Sequence, residues 1–431
     1  MVMDRREVDI RLGAQAVPVG RLIVEDDGRR AVSTFVYHPS WVAHPQGFDL
    51  APSLPRTTTP YHRTAGGDRD RSCLPWPIDD GAPDSWGRRV LQKTSGRTRL
   101  GDLDYLTGTD DALRIGALRC FSKEGADGKP LAPGGVGGPQ VPRLHSMEDV
   151  VREARAFDAD PDGFVERRNT LVGGDVLRQA VGSLGGARPK INAVDADGSL
   201  WIVKLPKQHD TYAMARAEVL ALTLAGMVGI DAAEARVIPD SQRFPMIRVR
   251  RFDRAGPGFQ NRIPYISAQT FMADAHSGRD AVHSYEDIAM RMRAHAAAPR
   301  AQIHQLYRRM AFSILVRNTD DHLRNHGFLR TAQGWVLSPA FDINPEHRPS
   351  GVLQTPISAI HGDACDIDAA LDAAPLFDLT TTDARTMLRQ MAYTIAGQWR
   401  TVGARLGMDG VDMRAMAQVL DNTEVAKARA Y

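Results

Sequence analysis

Asn318-Thr-Asp-Asp-His-Leu-Arg-Asn325 is the stretch on which the reading of this 431-residue chain turns. Asp320 and Asn325 stand five positions apart in it. It directly follows the strongest amphipathic pattern in the chain, in which Ile303, Leu306, Tyr307, Met310, Ala311, Ile314 and Leu315 recur at helical spacing. A buried helix is therefore expected over 301–316. A polar loop leaving such a helix is rigidly anchored. Taken alone, the loop fits three chemistries. Its aspartates can cap a turn. His322, His326 and Asp321 can ligate a metal, although the Asp and Asn oxygens suit Mg²⁺ better than zinc. Or Asp320 can take a proton from a hydroxyl while Asn325 holds a metal ion.

Downstream, 327–337 reads as a hairpin turned at Ala332-Gln-Gly334, and it delivers Asp342, 17 residues after Asn325, in Leu337-Ser-Pro-Ala-Phe-Asp-Ile-Asn-Pro345. Upstream, 191–194 and 200–205 read as strands around the turn Asp195-Ala-Asp-Gly198. Lys204 lies in the second, sharing a face with Ile202. A helix is expected over 212–228, with Leu220, Thr223, Leu224, Met227 and Val228 as its buried stripe and Gly229 as its stop. Glu218 sits on that helix, 14 positions after Lys204. Strands are expected at 235–238 and 246–252. Ahead of all this, Ser183-Leu-Gly-Gly-Ala-Arg-Pro-Lys190 offers Gly185 and Gly186, whose backbone N–H groups can approach phosphate oxygens.

Phosphoryl transfer from ATP needs a glycine-bearing turn, a strand lysine, a helix glutamate to hold it, an acid near the attacking hydroxyl, and an Asn and a second Asp for Mg²⁺. The chain supplies a candidate for each, in the order protein kinases use them. Either plain structural role, a solvent-facing lysine or a capping aspartate, explains any one of them but not the ordered set.

The remaining chain organises around that set. Short apolar runs at 8–12, 17–24 and 31–37, with Glu25-Asp-Asp-Gly28 as a turn, make the beginning β-rich. A proline-bearing irregular stretch covers 38–70, and a helix is expected over 83–92 with Asp84 or Ser85 as N-cap. Gly and Pro density over 125–142 marks a linker. We expect an α+β, two-lobed, protein-kinase-like fold. It divides into a β-rich N-terminal subdomain at 1–124, the linker at 125–142, a lobe at 143–255 with the glycine turn, Lys204 and Glu218, and a helical lobe at 256–431 with the catalytic loop.

These motifs resemble the HipA toxins, the serine/threonine kinases of bacterial type II toxin–antitoxin modules. The resemblance rests on the 183–190 turn, Ile202-Val-Lys-Leu-Pro206, Arg251-Phe-Asp-Arg254, the 319–325 loop and Pro339-Ala-Phe-Asp-Ile-Asn-Pro345. Val19-Gly-Arg-Leu22 and Ala82-Pro-Asp-Ser-Trp-Gly-Arg-Arg-Val-Leu91 are similar to that family's N-terminal subdomain. The resemblance implies Asp320 as catalytic base, with Asn325 and Asp342 as Mg²⁺ ligands. It implies an ATP site from Gly185, Gly186, Ala187, Arg188, Pro189, Lys190, Lys204, Arg250, Arg251, Phe252, His322, Leu323, Arg324, Asn325, Phe341 and Asp342. Ser183 matches the serine that such kinases autophosphorylate to silence themselves. A HipB-like helix-turn-helix antitoxin is the implied partner, through which DNA is met indirectly, and tRNA synthetases are the implied substrate class. Arg324 departs from the lysine common in the family loop, which changes the reach and geometry of that cation.

Composition narrows the alternatives. Lys plus Arg number 54 against 52 Asp plus Glu, a net charge of +2, which gives no broad attraction to nucleic acid or anionic membrane. Three cysteines, Cys73, Cys120 and Cys365, make neither a disulfide framework nor a zinc site. No apolar run spans a bilayer and no signal peptide is visible, so a cytoplasmic protein is expected. Two other readings remain at this point: a small-molecule kinase acting on a sugar, choline or antibiotic, and a nucleotide-binding module that docks a DNA-bound antitoxin.

Overall fold

The computed structural model describes residues 3–65, 72–122, 128–131, 142–144, 147–168, 177, 188–207, 210–238, 244–256, 261–273, 282–346 and 351–431. The chain has an α+β fold and forms two compact units. The first comprises Met1–Val203 with Asp253–Ile266, and the second Lys204–Phe252 with Ser267–Tyr431.

In the first unit, alternating apolar residues build a five-stranded antiparallel sheet. Its order is Tyr61–Thr64, Ala31–Tyr37, Val17–Asp26, Asp4–Leu12 and Leu118–Phe121. Ala31–Tyr37 buries every second residue, so one face is core. The turn expected at 25–28 is present. Gly28 takes a positive φ of 85°, and the Asp26 and Asp27 carboxylates accept the N–H groups of Gly28, Arg29 and Arg30. The stretch 38–70, read as irregular, contains a short helix, Pro39–Val42, and the edge strand Tyr61–Thr64. The latter runs only four residues, too short for a periodic signal. Helix Ser85–Thr94 starts at Asp84, whose carboxylate accepts the Gly87 N–H at 2.7 Å. Trp86 from that helix meets Phe157 of helix Glu148–Ala159 edge-on.

The second unit holds the hairpin Ala235–Ile238 with Met246–Arg250, whose Ile247 and Val249, with Ala233 just ahead of it, cluster with Val219 of helix Met214–Met227. Of the expected stripe on that helix, Leu220, Leu224 and Val228 are buried, whereas Met227 is 44% exposed and Thr223 half-buried. Burial also takes in Ala217, Val219, Ala221, Leu222 and Ala225, so most of the helix surface is covered. Thr223, Gly226 and Met227, three and four positions apart, share the strip left uncovered. Helix Pro299–Leu315 buries all seven residues of its expected stripe. The hairpin Gly327–Arg330 with Trp335–Leu337 follows, and Phe328 stacks on Phe271 at 4.0 Å.

Candidate active site

The candidate loop begins where helix Pro299–Leu315 ends. Arg317 adopts a left-handed φ of 52°. The Arg317 N–H bonds to Ile314 O at 3.2 Å and the Asn318 N–H to Ser313 O at 2.8 Å. This two-bond closure satisfies the last carbonyls of the helix and turns the chain sharply. Asn318 is buried, and its Oδ1 accepts the Asn344 N–H at 3.0 Å. Asn344 in turn donates through Nδ2 to Asp342 Oδ1 at 3.1 Å. The Asp320 loop and the Asp342 turn are thus tied together by two asparagines that sequence spacing did not single out.

Asp342 is aimed by its own backbone. The Ala340 N–H bonds to Asp231 O and the Ala233 N–H to Ala340 O, at 2.7 and 2.9 Å, forming a short parallel bridge. Two residues later Asp342 takes φ of 57°, a left-handed conformation that costs a non-glycine residue about 1 kcal/mol or more and tends to persist where a side chain must be directed. Its Oδ1 accepts from Lys204 Nζ at 2.7 Å, and Lys204 also donates to Glu218 Oε1 at 2.6 Å. Burial of the Lys204 ammonium opposes its charge, but the Asp342 and Glu218 carboxylates outweigh that and hold its pKa above the ordinary lysine value. Lys204, Glu218 and Asp342, separated in sequence, are therefore one ionic cluster.

Asp320 points to different company. Its Oδ1 accepts from Gln354 Nε2 at 2.6 Å, and its backbone carbonyl accepts from Asn325 Nδ2 at 2.7 Å. That second bond commits the Asn325 amide nitrogen and turns its carbonyl oxygen the opposite way. Behind the loop, the neighbouring Asp321 is buried. It accepts from Tyr285 Oη at 2.9 Å and from the Gln354 N–H at 2.8 Å. Burial pushes its carboxyl up to about 6. His326, also buried, is pushed down to about 3 by desolvation and by the nearby Arg309 guanidinium. Its Nε2 lies 3.2 Å from Asp321 O. His322, His326 and Asp321 do not gather as a metal site: among the described residues no three His, Cys, Asp or Glu side chains do so.

The remaining expected residues are distributed as follows. Leu323, Arg324 and Asn325 form a 3₁₀ turn, with Arg324 Nε donating to Gln269 Oε1 at 2.6 Å. Among the described residues, buried His322 Nδ1 has no hydrogen-bond partner. The Phe252 and Phe341 rings are 5.4 Å apart, next to the buried Arg251. Arg250 is exposed and reaches Glu234. In the first unit, Lys190 is buried with its ammonium 3.0 Å from Asp84, and Arg188 and Pro189 precede it. Ser183, Gly185, Gly186 and Ala187 lie outside the described residues. The second unit thus offers a charged lysine, an aimed carboxylate and an asparagine oxygen. This all-oxygen donor set suits Mg²⁺, and the orphaned His322 Nδ1 is a polar atom that a bound phosphate can satisfy.

Comparison with known proteins gives the family of the chain. Two relatives from Sinorhizobium fredii are each named as a supposed kinase. Y4mE is 25% identical over 326 residues, 72% of this chain and 71% of its own. Y4dM is 28% identical over 167 residues, 35% of this chain and 38% of its own. The HipA structure from Shewanella oneidensis MR-1, solved with HipB and operator DNA, superposes with a TM-score of 0.66 at 17% identity, covering 98% of this chain and 99% of that one. Residues 10–119 match the HipA N-terminal domain. Residues 182–429 match the HipA-like C-terminal domain, which is more than half of the chain, and the protein therefore belongs to the HipA family.

Proposed function

We propose that this chain is an ATP-dependent serine/threonine protein kinase acting as the toxin of a toxin–antitoxin module. The observation that carries the reading is the ionic cluster of Lys204, Glu218 and Asp342, tied through Asn344 and Asn318 to the Asp320 loop. Phosphoryl transfer depends chiefly on positioning and charge stabilisation, and these are what such a cluster provides.

In this reading the hydroxyl oxygen of a substrate serine or threonine forms the new bond to the γ-phosphorus. The bond from that phosphorus to the β–γ bridging oxygen breaks, and ADP leaves. Asp320 orients the hydroxyl and receives its proton. Lys204, kept charged by its two carboxylates, offsets charge on the phosphates. Glu218 holds Lys204 in place as phosphates compete for the ammonium. Asn325 and Asp342 are the residues that would hold Mg²⁺, which neutralises phosphate charge and polarises the transferred group. Phe252 and Phe341 offer flat apolar surface for adenine.

The family and its solved member in complex with HipB and operator DNA support a helix-turn-helix antitoxin as partner, with DNA contacted through that partner. By the same resemblance, Ser183 receives a phosphate from a second copy of the kinase. Two added negative charges beside the glycine turn disfavour ATP and silence the enzyme.

The deciding experiment incubates purified protein with labelled Mg²⁺-ATP and a cell lysate. Label should move to protein, and Asp320→Ala and Asp342→Ala should each abolish it while leaving the fold intact. Full activity in either variant, or label moving to a small molecule, overturns the assignment. Mass spectrometry of the same incubation should find phosphate on Ser183 in the wild type and none in Asp320→Ala.

A further inference from the structure

The segment after the Asp342 turn carries a side chain that the reaction as drawn leaves unused. Residues 351–365 fold back on themselves: the Leu353 N–H bonds to Asp363 O at 2.7 Å, the Ile357 N–H to Gly362 O at 2.8 Å, and the Cys365 N–H to Gly351 O at 3.0 Å. Asp321 fastens this excursion to the candidate loop. Its buried Oδ1 accepts the Gln354 N–H at 2.8 Å, and its carbonyl accepts Thr355 Oγ1 at 2.7 Å. The Tyr285 hydroxyl holds the other carboxylate oxygen at 2.9 Å. With its backbone fixed by Asp321, Gln354 turns its side chain to the adjacent aspartate and donates from Nε2 to Asp320 Oδ1 at 2.6 Å. Gln354 is exposed, so core packing does not require this contact.

We propose that Gln354 is a positioning residue for the base. The inference rests on the reading of Asp320 as the group that receives the hydroxyl proton. A carboxylate on a short side chain swings about its Cβ–Cγ bond, and a single strong donor on Oδ1 stops that swing. Oδ2 is then presented in one orientation to the acceptor hydroxyl. An amide suits the task because it donates without carrying charge. A lysine there would weaken the base by stabilising its ionised form, and an ionised carboxylate would repel it. Two neighbouring aspartates divide the work: Asp321 fixes the segment through a backbone N–H, and Asp320 is steered by the side chain of the same residue.

The test uses the full chain and follows ADP release from Mg²⁺-ATP, with dephosphorylated casein and water as acceptors, from pH 6 to pH 8. Gln354→Met keeps the length of the side chain and the backbone tether but removes the donor. Its kcat should fall about tenfold, while its KM for ATP stays within twofold of wild type. Gln354→Glu separates orientation from packing. It keeps the length of the side chain and the backbone tether but sets an acceptor against an acceptor. Its kcat at pH 8 should fall at least as far as that of Gln354→Met, again with KM for ATP within twofold of wild type.

Wild-type kcat in Gln354→Met at every pH, a loss confined to KM, or wild-type kcat in Gln354→Glu at pH 8 each overturns the proposal. Asp320→Asn run beside them separates the two failures. If it is silent while both Gln354 variants match wild type, only the positioning role falls. If it keeps full rate, or if the wild type releases no ADP, the reading of the base falls with it.

Discussion

Two corners of the same unit carry the candidate catalytic side chains, and they are held by different forces. Around Lys204, three charges meet away from water, with side-chain exposures of 14% for Lys204, 4% for Glu218 and 23% for Asp342. Around Asp320, the partner is a neutral amide on an exposed residue. The first corner is electrostatic, and each member compensates another, so removing one leaves a desolvated charge behind. The second is geometric, and its loss exposes nothing that water cannot satisfy. It follows that the Lys204 corner couples activity to stability, whereas the Asp320 corner governs rate almost alone.

The largest effect expected from this contrast is the difference between two silent variants. Lys204→Met and Asp320→Ala should each lower phosphoryl transfer by about a thousandfold or more. Urea unfolding should tell them apart. Lys204→Met strands Glu218 and Asp342 and should lose about 3–5 kcal/mol, the typical cost of breaking a buried pair from one side. Asp320→Ala should stay within about 1 kcal/mol of wild type. Equal stability in the two variants would erase the distinction between the corners.

Metal dependence gives the next largest effect. With Asn325 and Asp342 oxygens as the donors, EDTA should weaken ATP binding by about a hundredfold in calorimetry, and Mg²⁺ but not zinc should restore it. Binding that survives EDTA, or a stoichiometric zinc in the purified protein, breaks the assignment of these ligands. Within the Lys204 corner, Glu218→Gln is milder. It removes one charge-assisted bond while Asp342 still holds the ammonium. A rate loss of about 30-fold, about 2 kcal/mol, is expected in ADP release. A loss as deep as that of Lys204→Met would mean that Glu218 does more than orient.

The two corners were unequally legible in the sequence. Lys204, Glu218, Asp320, Asn325 and Asp342 could be singled out because the roles proposed for them impose an order along the chain, and neighbouring periodicity fixed which were on a strand, a helix or a loop. The structure brings Lys204, Glu218 and Asp342 together. What escaped were the polar residues that act across long separations. Asn318 meets Asn344 over 26 residues, Gln354 meets Asp320 over 34, and Tyr285 meets Asp321 over 36. Asn, Gln and Tyr in loops or at helix starts have no periodic signature, and only closure of the tertiary fold pairs them. The misplaced Met227 has a related cause. The hydrophobic stripe located the helix but could not say that burial would extend to Ala217, Ala221 and Ala225 and leave Met227 outside. Sequence spacing marks Asp321 only as a metal-ligand alternative, whereas in the structure it anchors the 351–365 excursion to the Asp320 loop.

That anchor supplies the smallest and most specific prediction. Asp321 has a folded-state pKa raised to about 6, against 3.8 for a freely solvated aspartate, because burial disfavours its charged form. In the window between those values the folded chain binds this proton and the unfolded chain has released it. Stability from this carboxyl is therefore fully present below about pH 4 and is lost as pH rises through 6. From pH 5 to pH 6 the loss amounts to about 1 kcal/mol for a shift of this size. Asp321→Asn abolishes the titration while preserving the shape of the side chain, so this falling component should vanish from its curve. Urea unfolding at pH 5.0, 5.5 and 6.0 should show the stability of Asp321→Asn rising relative to wild type by about 1 kcal/mol across the series. The constant offset between the two proteins reports the cost of replacing one carboxylate oxygen at the Tyr285 and Gln354 contacts. The slope reports only the proton. A difference between the proteins that does not change with pH would show that Asp321 is ionised in the folded chain throughout this range. The excursion at 351–365 would then be tethered by a charge rather than by a neutral acid.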